Sequence, residues 1–559
     1  MKRFTIGLDF GTSSVRGVLV DVSNGNTAAE AVFPYPHGTD GVLIDAGDSN
    51  LARQHPQDHI DGLQAVIRSI LNQGSTESAV EADQVIGIGV DTTGSTPIPV
   101  DQDGTPLGLR PEFAQELDAM VWLWKDHTAF AEAADITAAA RELHPEYLGK
   151  IGGTYSSEWF WAKILKCARS NPRVSAAAAT WVEHADLVPA ILTGNTAPDG
   201  IPRGICAAGH KGLFHESWGG YPDREFLTAL HPELGRIRDS LPAHARTAEE
   251  PAGYLTPEWA DRLGLPEGIP VALGAFDAHF GAVGAGVGTG VLVKNIGTSC
   301  CDITVADGSD SLPDIPGLCG IVPGSVLPGF HGLEAGQSAI GDIFNWFAKI
   351  AGPGRPTGEV LADLEDQARR LRPGQSGILA LDWQNGNRTV LVDQRLTGLF
   401  IGLTLHSTPA EMYRALVEAT AFGARVIVER FEEYGVNTRR VLACGGIPYK
   451  SPMLMQIYAD VLGKPMELSR STQTAALGSA VAAAVTAGAD RGGYDDFSSA
   501  MGAMTGTLDE VYTPDPSRHE VYTRLYGIYR NLHDAFGVPG ASPDLYAAMK
   551  RLLDIKDRS

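Results

Sequence analysis

Two similar segments decide the fold: IGLDFGTSSVRGVLVD at residues 6–21 and LVKNIGTSCCDITVAD at residues 292–307. Each is a hydrophobic run, a Gly-Thr-Ser step and a second apolar run that ends in Asp, a pattern that predicts a β-hairpin. The segments lie about half of the 559-residue chain apart, which indicates two equivalent halves made by duplication. Chance is the alternative, but the match extends well beyond one tripeptide. The matching residues are Gly11 with Gly297, Thr12 with Thr298, Ser13 with Ser299, and Asp21 with Asp307.

Composition and charge narrow the class of protein. The chain is 43% hydrophobic and 20% charged, which suits a globular protein of at least two domains. A formal net charge of −23 argues against a general nucleic-acid binder, because a phosphate backbone needs a basic face. It does not argue against one local site for a small phosphate compound. An ordinary acidic surface is the simplest interpretation of the charge.

Cysteine usage and the apolar segments predict a cytoplasmic protein without a membrane partner. The six cysteines form no CxxC pair, and so few in a long chain favour reduced thiols. The beginning of the sequence, MKRFTIGLDFGTSS, has a strand pattern and does not resemble a signal peptide. The segment TAALGSAVAAAVTAGA is short and rich in small residues, which predicts a packed helix.

Strands and helices alternate along the chain, which predicts an α/β fold. In the first half we expect strands at 4–8, 15–20 and 85–94. The second half repeats the order, with a hairpin at 290–306, helices at 336–350 and 409–434, and a strand and loop at VLACGGIPYKS. We place the domains at 1–270 and 271–540. Residues 541–559 form a tail, for which one short amphipathic helix is the expectation.

The two Gly-Thr-Ser steps are candidates for binding phosphate. Glycine at a hairpin tip permits a positive φ and lets an oxygen approach the backbone, and exposed N–H and hydroxyl groups make a concave anion site. A single copy is most simply a tight turn; two copies facing each other favour a shared polyphosphate. Asp9 lies two residues before Gly11, whereas Asn295 occupies the equivalent position before Gly297. Asp9 is therefore either a water-mediated Mg²⁺ contact or a simple capping residue.

Standard nucleotide and hydrolase motifs are absent from the sequence. There is no G-x-x-x-x-G-K-[ST], and the segment GLEAGQS lacks both the lysine and the spacing. HExxH and G-x-S-x-G are also missing.

Several longer motifs make the chain resemble the FGGY carbohydrate kinases, the sugar-kinase branch of the actin/hexokinase/Hsp70 superfamily. They are GLDFGTSSVRG, GVDTTGSTPIPVD, LWKDHTA, GGTYSSEWFWAKIL, AGHKGLFHESWGG, GAFDAHFGAVGAG and GLEAGQSAIGDIFNWF. The resemblance runs from about residue 6 to residue 537. It implies two duplicated actin-like domains of ribonuclease-H-like topology around a central cleft.

The resemblance implies specific roles for residues of these motifs. Asp277 of GAFDAH would be the catalytic base, which takes the proton of the attacking sugar hydroxyl while the γ-phosphate of ATP is transferred. By composition alone, an Asp in such a loop is more often a turn residue. Asp9 and Asp277 would contact Mg²⁺. The implied nucleotide-binding residues are Gly11, Thr12, Ser13, Gly297, Thr298, Gly445, Gly446 and Lys450. The implied sugar-binding residues are Trp124, Lys211, Asp277 and Glu334, with Thr96 and Asp126 as second-tier candidates.

The implied reaction is phosphorylation of the C5 hydroxyl of L-ribulose by Mg-ATP, giving L-ribulose 5-phosphate in arabinose breakdown. Another ketopentose or pentitol, such as D-ribulose, L-xylulose or ribitol, is an alternative substrate. A nucleotide-dependent actin-like sensor or scaffold is an alternative of another class. The partners would be the small sugar and ATP, with a homodimer as a possible assembly and no nucleic acid or membrane.

Overall fold

A computed structural model describes residues 2–78, 80–309 and 312–558 of the chain. The strands of the first half are β1 (Phe4–Phe10), β2 (Ser14–Asp21), β3 (Thr27–Pro34), β4 (Leu43–Asp45), β5 (Asp48–Gln54), β6 (Val85–Thr92), β7 (Pro97–Val100), β8 (Val121–Trp122), β9 (Thr180–Glu183), β10 (Pro251–Tyr254), β11 (Pro270–Ala272) and β12 (Ala275–Phe276). Its helices are α1 (Pro56–Glu77), α2 (Phe130–Leu143), α3 (Pro145–Gly149), α4 (Phe160–Ser170), α5 (Pro172–Ala177), α6 (His184–Thr193), α7 (Ile205–Lys211), α8 (Arg224–Leu230), α9 (Pro232–Asp239), α10 (Pro257–Leu263) and α11 (Asp277–Ala285).

The second half repeats this mixture of strands and helices. Its strands are β13 (Val291–Ile296), β14 (Cys300–Asp307), β15 (Gly320–Pro323), β16 (Phe330–Gln337), β17 (Leu379–Leu381), β18 (Leu399–Ile401), β19 (Arg440–Cys444), β20 (Met466–Ser469) and β21 (Thr507–Tyr512). Its helices are α12 (Gly341–Ala351), α13 (Thr357–Ala368), α14 (Pro409–Glu433), α15 (Pro452–Leu462), α16 (Thr474–Ala487), α17 (Phe497–Met504), α18 (Pro516–Gly537) and α19 (Pro543–Arg558).

Each half is built on one large sheet, and the two sheets have the same strand order. The first sheet runs β10-β11-β6-β1-β2-β3, with β12 also paired to β6. The second runs β21-β20-β19-β13-β14-β16-β15. In both, an antiparallel hairpin is joined to a parallel strand at its first member: β1 with β6, and β13 with β19. The shared order confirms the predicted duplication and the α/β fold.

Both predicted hairpins are present, and in each the glycine N–H closes the turn. Glycine permits a positive φ at the Gly-Thr-Ser steps, but neither Gly11 nor Gly297 adopts one. Instead the Gly11 N–H donates to Ser14 O and the Gly297 N–H to Ser299 O, each at 2.9 Å, and these bonds close the turns. A Cβ on Gly297 would meet nothing closer than 4.0 Å. The missing side chain therefore leaves open space beside the turn.

Other expectations differ in detail. The predicted helix at 336–350 begins only at Gly341, because residues 330–337 form β16 and pair with β14 and β15. The predicted domain boundary near residue 270 stays a prediction; the first sheet ends at Phe276 and the second begins at Val291. The tail forms helix α19, as expected. All six cysteines are free thiols. Within the described residues, no helix has the length and apolar character needed to cross a membrane.

Helices α11 and α16 are almost entirely buried and pack against each other with almost no side chain between them. A Cβ on Gly284 of α11 would lie 2.0 Å from Thr474 O, and one on Gly478 of α16 would lie 1.8 Å from Phe280 O. Helix α16 also lies against the first sheet, where a Cβ on Gly7 or Gly89 would collide with its backbone. Because α16 comes from the second half, this contact joins the two halves.

Because the two helix backbones are in direct contact, one added methyl group should lower the stability of the protein substantially. Gly478→Ala should lower the free energy of unfolding by about 2–3 kcal/mol, because backbone atoms cannot move aside as a flexible side chain can. The control is Gly502→Ala in α17, where a Cβ meets nothing within 4 Å. Urea unfolding of both variants checks the prediction. Equal stability of the two variants would contradict the close packing.

Candidate active site

Three carboxylates meet at the carboxyl ends of three neighbouring strands. Asp9 near the end of β1 is in register with Asp91 on β6, and Asp91 is in register with Ala275 on β12. Asp277 follows β12 directly, as the first residue of α11. Asp91 is fully buried and accepts a 2.6 Å hydrogen bond from Ser479 Oγ of α16. Strand pairing therefore collects acidic residues that are far apart in sequence.

Burial raises the pKa of all three carboxyl groups, and the charge of Asp9 raises those of Asp91 and Asp277 further. Burial, and next the negative charge of Asp9, raise the pKa of Asp277 to about 7. Burial and Asp9 also raise the pKa of Asp91 well above its usual range. Asp9 itself has a raised pKa through burial, which Arg16 partly offsets. A carboxyl group with a pKa near 7 is suited to accept a proton near neutral pH.

The first Gly-Thr-Ser turn leaves its amide groups free for a ligand, because its carbonyl oxygens accept hydrogen bonds from the rest of the protein. Gln54 Nε2 donates to Gly11 O at 3.2 Å and to Thr12 O at 2.8 Å. The Tyr35 N–H donates to Ser13 O at 2.9 Å. Among the described residues, the N–H groups of Thr12 and Ser13 have no acceptor. Such unpaired amides in a turn form an anion-binding site.

The second turn has the same arrangement with a different support. The N–H groups of Gly341 and Asp342, at the start of α12, donate to Gly297 O at 3.1 Å and Thr298 O at 3.2 Å. In the described part of the chain, the Thr298 N–H has no protein acceptor. Both halves therefore offer outward-facing amide groups at the residues that the sequence predicts to bind phosphate.

The predicted nucleotide-binding residues of the second half follow β19, the strand parallel to β13. Gly445 has a φ of +89°, and a Cβ there would lie 2.4 Å from Ile296 O, so only glycine fits. At Gly446, an added Cβ would meet nothing within 4 Å. Lys450 is exposed, and its N–H donates to Ile447 O at 2.9 Å. The glycine pair leaves an open surface beside the second turn.

Lys211 and Glu334 form a buried ion pair between the two halves. Lys211 Nζ lies 3.0 Å from both oxygens of Glu334. His210 Nδ1 is 3.2 Å and His279 Nε2 is 3.7 Å from the same carboxylate. Burial opposes both charges, but the pair outweighs it: the pKa of Glu334 lies well below and that of Lys211 above its usual value. Burial lowers the pKa of both histidines.

The remaining predicted sugar-binding residues differ in accessibility. Trp124 is half-buried, and its Nε1 donates to Thr12 Oγ1 at 3.0 Å, which ties it to the first phosphate turn. Thr96 is fully buried; its N–H donates to Glu183 Oε2 at 2.7 Å. Asp126 is also fully buried. Its oxygens accept bonds from Arg53, the Ala52 N–H and Thr128.

Three polar groups of the site are missing from the sequence-based assignment. Asp91 stands in GVDTTG, but nothing in that motif shows that β6 lies beside β1. His279 follows Asp277 by two residues, and its ring nitrogens have no hydrogen-bond partner within the described part of the chain. Arg388 comes from the loop between β17 and β18, and its charge acts on Glu334 and Lys211. Only the fold brings these residues to the site.

Comparison with known proteins defines the class. Residues 4–284 match the N-terminal domain of the FGGY family of carbohydrate kinases, and residues 292–487 match its C-terminal domain. The chain belongs to this family and is a carbohydrate kinase.

Similar curated proteins narrow the comparison further. A ribulokinase of Vibrio parahaemolyticus is 43% identical over 550 residues, with 95% of each chain covered. A ribulokinase of Halalkalibacterium halodurans is 41% identical over 569 residues, with 100% of this chain and 98% of that protein covered. Among solved structures, a xylulose kinase of Rhodospirillum rubrum is 26% identical with a TM-score of 0.76, covering 96% of this chain and 99% of that one. These likenesses confirm the predicted two-domain kinase fold.

The buried ion pair predicts that a single substitution lowers the stability of the protein more than a double substitution does. Glu334→Gln should lower the free energy of unfolding by about 3 kcal/mol, because it leaves Lys211 buried without a carboxylate. The double variant Lys211→Met with Glu334→Gln removes both charges and should lose less stability than Glu334→Gln alone. Urea unfolding at neutral pH measures both. A double variant less stable than the single one would contradict the assignment.

Proposed function

We propose that the chain transfers the γ-phosphate of ATP to the C5 hydroxyl of L-ribulose, with Asp277 as general base. The position of Asp277 is the observation that carries the proposal. It begins α11 directly after β12, which pairs with β6, and the charges of Asp9, Glu334 and Lys211 all act on its carboxyl group. L-Ribulose is proposed because the chain is 39–43% identical, over nearly its full length, to several proteins named ribulokinase.

In this proposal the two turns hold the triphosphate from opposite sides. The amides of Thr12 and Ser13 contact its oxygens from the first half, and that of Thr298 from the second. Gly445 and Gly446 border the adenosine, with Lys450 near its edge. Fixed amide dipoles stabilise the charge that spreads over the transferred phosphoryl group.

Asp9 and Asp277 have the chemistry required to hold Mg²⁺. Both offer carboxylate oxygens, which this ion prefers, and the Asp9 side chain keeps 17% of its surface exposed beside the first turn. The ion would neutralise phosphate charge when bound.

The protein's own residues perform the proton transfer. The Ala278 N–H donates to Asp277 Oδ1 at 2.7 Å, which fixes the carboxylate and leaves Oδ2 for the substrate hydroxyl. Asp277 takes that proton as the hydroxyl oxygen attacks phosphorus, so no covalent enzyme intermediate is required. Lys211 and Glu334 bind sugar oxygens, and Trp124 lies against the apolar face of the sugar. Thr96 and Asp126 remain second-tier sugar-binding candidates, because protein groups already occupy their polar atoms.

The proposal extends to compartment and assembly. Six free thiols suit a reducing environment such as the cytoplasm. A homodimer is the assembly that analytical ultracentrifugation should test.

A substrate panel tests the proposed function. ADP formation with Mg-ATP is measured on L-ribulose, D-ribulose, L-xylulose, ribitol and glycerol. The highest kcat/KM is expected on L-ribulose. If the enzyme prefers another polyol, the proposed kinase mechanism stands, but the proposed substrate is wrong. No stimulation by any of them would favour a nucleotide-dependent switch.

Removing the base should stop chemistry without removing nucleotide binding. Asp277→Asn is expected to lower kcat by about 10²–10⁴-fold, the usual contribution of a general base. ADP binding and the thermal midpoint should be retained. Asp307→Asn is the control, because this exposed residue lies at the far end of β14. Near-normal turnover of Asp277→Asn would refute the assignment.

The raised pKa of Asp277 predicts a specific pH profile. The carboxylate accepts a proton only when it is ionised, so kcat/KM should rise about tenfold per pH unit below about pH 7 and level off above it. Steady-state rates between pH 5 and pH 9 on one substrate give the profile. A flat profile through pH 7 would contradict the role of Asp277.

A further inference from the structure

Lys163 of helix α4 is a fully buried lysine whose ammonium group binds only backbone carbonyl oxygens. Its Nζ donates to Leu123 O at 2.8 Å, to Ser95 O at 2.9 Å and to Trp122 O at 3.4 Å. Within the residues that the structure describes, no carboxylate oxygen lies within 4.0 Å of this nitrogen. Three carbonyl acceptors match the three N–H groups of an ammonium, so the side chain is bound as a cation.

The three carbonyl oxygens belong to two separate segments of the first half. Ser95 lies in the connection between β6 and β7. Trp122 ends β8, and Leu123 begins the connection that contains Trp124. Strand β7 pairs with β9, whereas β8 pairs with β5 in a different sheet. Lys163 therefore joins two segments that strand pairing leaves separate.

The peptide group between Ser95 and Thr96 is held at both ends. Its oxygen, Ser95 O, accepts the hydrogen bond from Lys163, and its N–H donates to Glu183 Oε2 at 2.7 Å. Ser95 Oγ donates to the other oxygen of the Glu183 carboxylate. Glu183 is itself buried at the end of β9. A cation and an anion thus fix the orientation of one peptide group, and with it the position of Thr96.

The segment that contains Trp124 and the segment that contains Thr96 both lead back to the first Gly-Thr-Ser turn. Trp124 Nε1 donates to Thr12 Oγ1 at 3.0 Å. Thr96 Oγ1 lies 2.9 Å from Thr93 Oγ1, and the Thr93 N–H donates at 3.1 Å to Phe10 O, one residue before the turn. The two segments are therefore both tied to the turn that would hold phosphate, and the lysine fixes the distance between them.

We propose that Lys163 is a positioning residue for the sugar site, whose ammonium holds the Thr96 and Trp124 segments at one fixed separation so that both meet the same sugar. This inference rests on the proposed function. Lys163 itself contacts no substrate, because its side chain is fully buried and its three N–H groups are in use. Without the cation, the buried carbonyls of Ser95 and Leu123 lose this donor, and the segments shift to satisfy them elsewhere.

The test replaces Lys163 by a neutral side chain of similar length. Lys163→Met should lower kcat/KM for L-ribulose by about 10- to 100-fold, because a misplacement of about 1 Å is enough for such a loss. Most of the loss should appear in the KM for the sugar, and the preference for L-ribulose over D-ribulose should shrink. The affinity for ADP should change less, since Thr298 and Gly445 belong to the second half.

Lys166→Met is the matched control. Lys166 lies in the same helix, but its side chain is partly exposed and makes no hydrogen bond or ion pair within the described part of the chain. Its kinetic constants should equal those of the unmodified enzyme. If Lys163→Met does not fold, Lys163→Gln, which keeps two N–H donors on a shorter chain, is compared with Lys166→Gln in the same way.

A purely structural role of Lys163 predicts a different result. A less stable protein has a smaller active fraction, which lowers kcat for every sugar but leaves the KM and the preference between sugars unchanged. Titration calorimetry of sugar and of ADP, well below the thermal midpoint of each variant, gives both affinities and the active fraction. Normal sugar affinity in folded Lys163→Met would overturn the proposal, as would equal losses of sugar and ADP affinity.

The outcomes also separate this inference from the proposed function. If the unmodified enzyme forms no ADP in response to any sugar, the proposed function fails, and the inference fails with it. If the enzyme prefers another sugar of the panel, the same comparison is made with that sugar. If it phosphorylates L-ribulose and Lys163→Met keeps the same KM, only the role of Lys163 fails.

Discussion

The close crossing of helices α11 and α16 is the contact on which the site depends. Each helix follows a strand of its own half, and glycines let their backbones meet directly. Helix α16 also packs on the first sheet and donates Ser479 to the buried Asp91. Helix α11 begins with Asp277. One steric requirement, the absence of side chains at Gly284 and Gly478, therefore joins the two halves and fixes Asp277 relative to the other strand-end carboxylates.

The two Gly-Thr-Ser turns follow a second physical rule. A turn can present N–H groups to a ligand only if its carbonyls are satisfied elsewhere, since buried backbone groups must be paired. The first half uses the Gln54 amide for this purpose, and the second uses the start of α12. The two halves thus reach the same arrangement with different supports. The two halves therefore share the turn but differ in the groups that donate hydrogen bonds to its carbonyl oxygens.

Sequence reasoning succeeded where the pattern is local. The hairpins at 6–21 and 292–307, the α/β alternation and the position of Asp277 after a strand could all be predicted from short segments. Neither Gly11 nor Gly297 uses the positive φ that glycine permits, because a turn closed by the glycine N–H does not need it. Asp91 could not be found, since its position beside Asp9 depends on the order of the strands in the first sheet. Asp126 was a second-tier sugar-binding candidate, and in the fold it is buried in an ion pair with Arg53.

In the proposed function, both halves hold one triphosphate beside Asp277. A crystal structure with Mg²⁺ and a non-hydrolysable ATP analogue tests it most directly. Phosphate oxygens are expected about 3 Å from the N–H groups of Thr12, Ser13 and Thr298. The terminal phosphate is expected to face Asp277. A triphosphate bound by one turn alone, or held with its terminal phosphate away from Asp277, would contradict it.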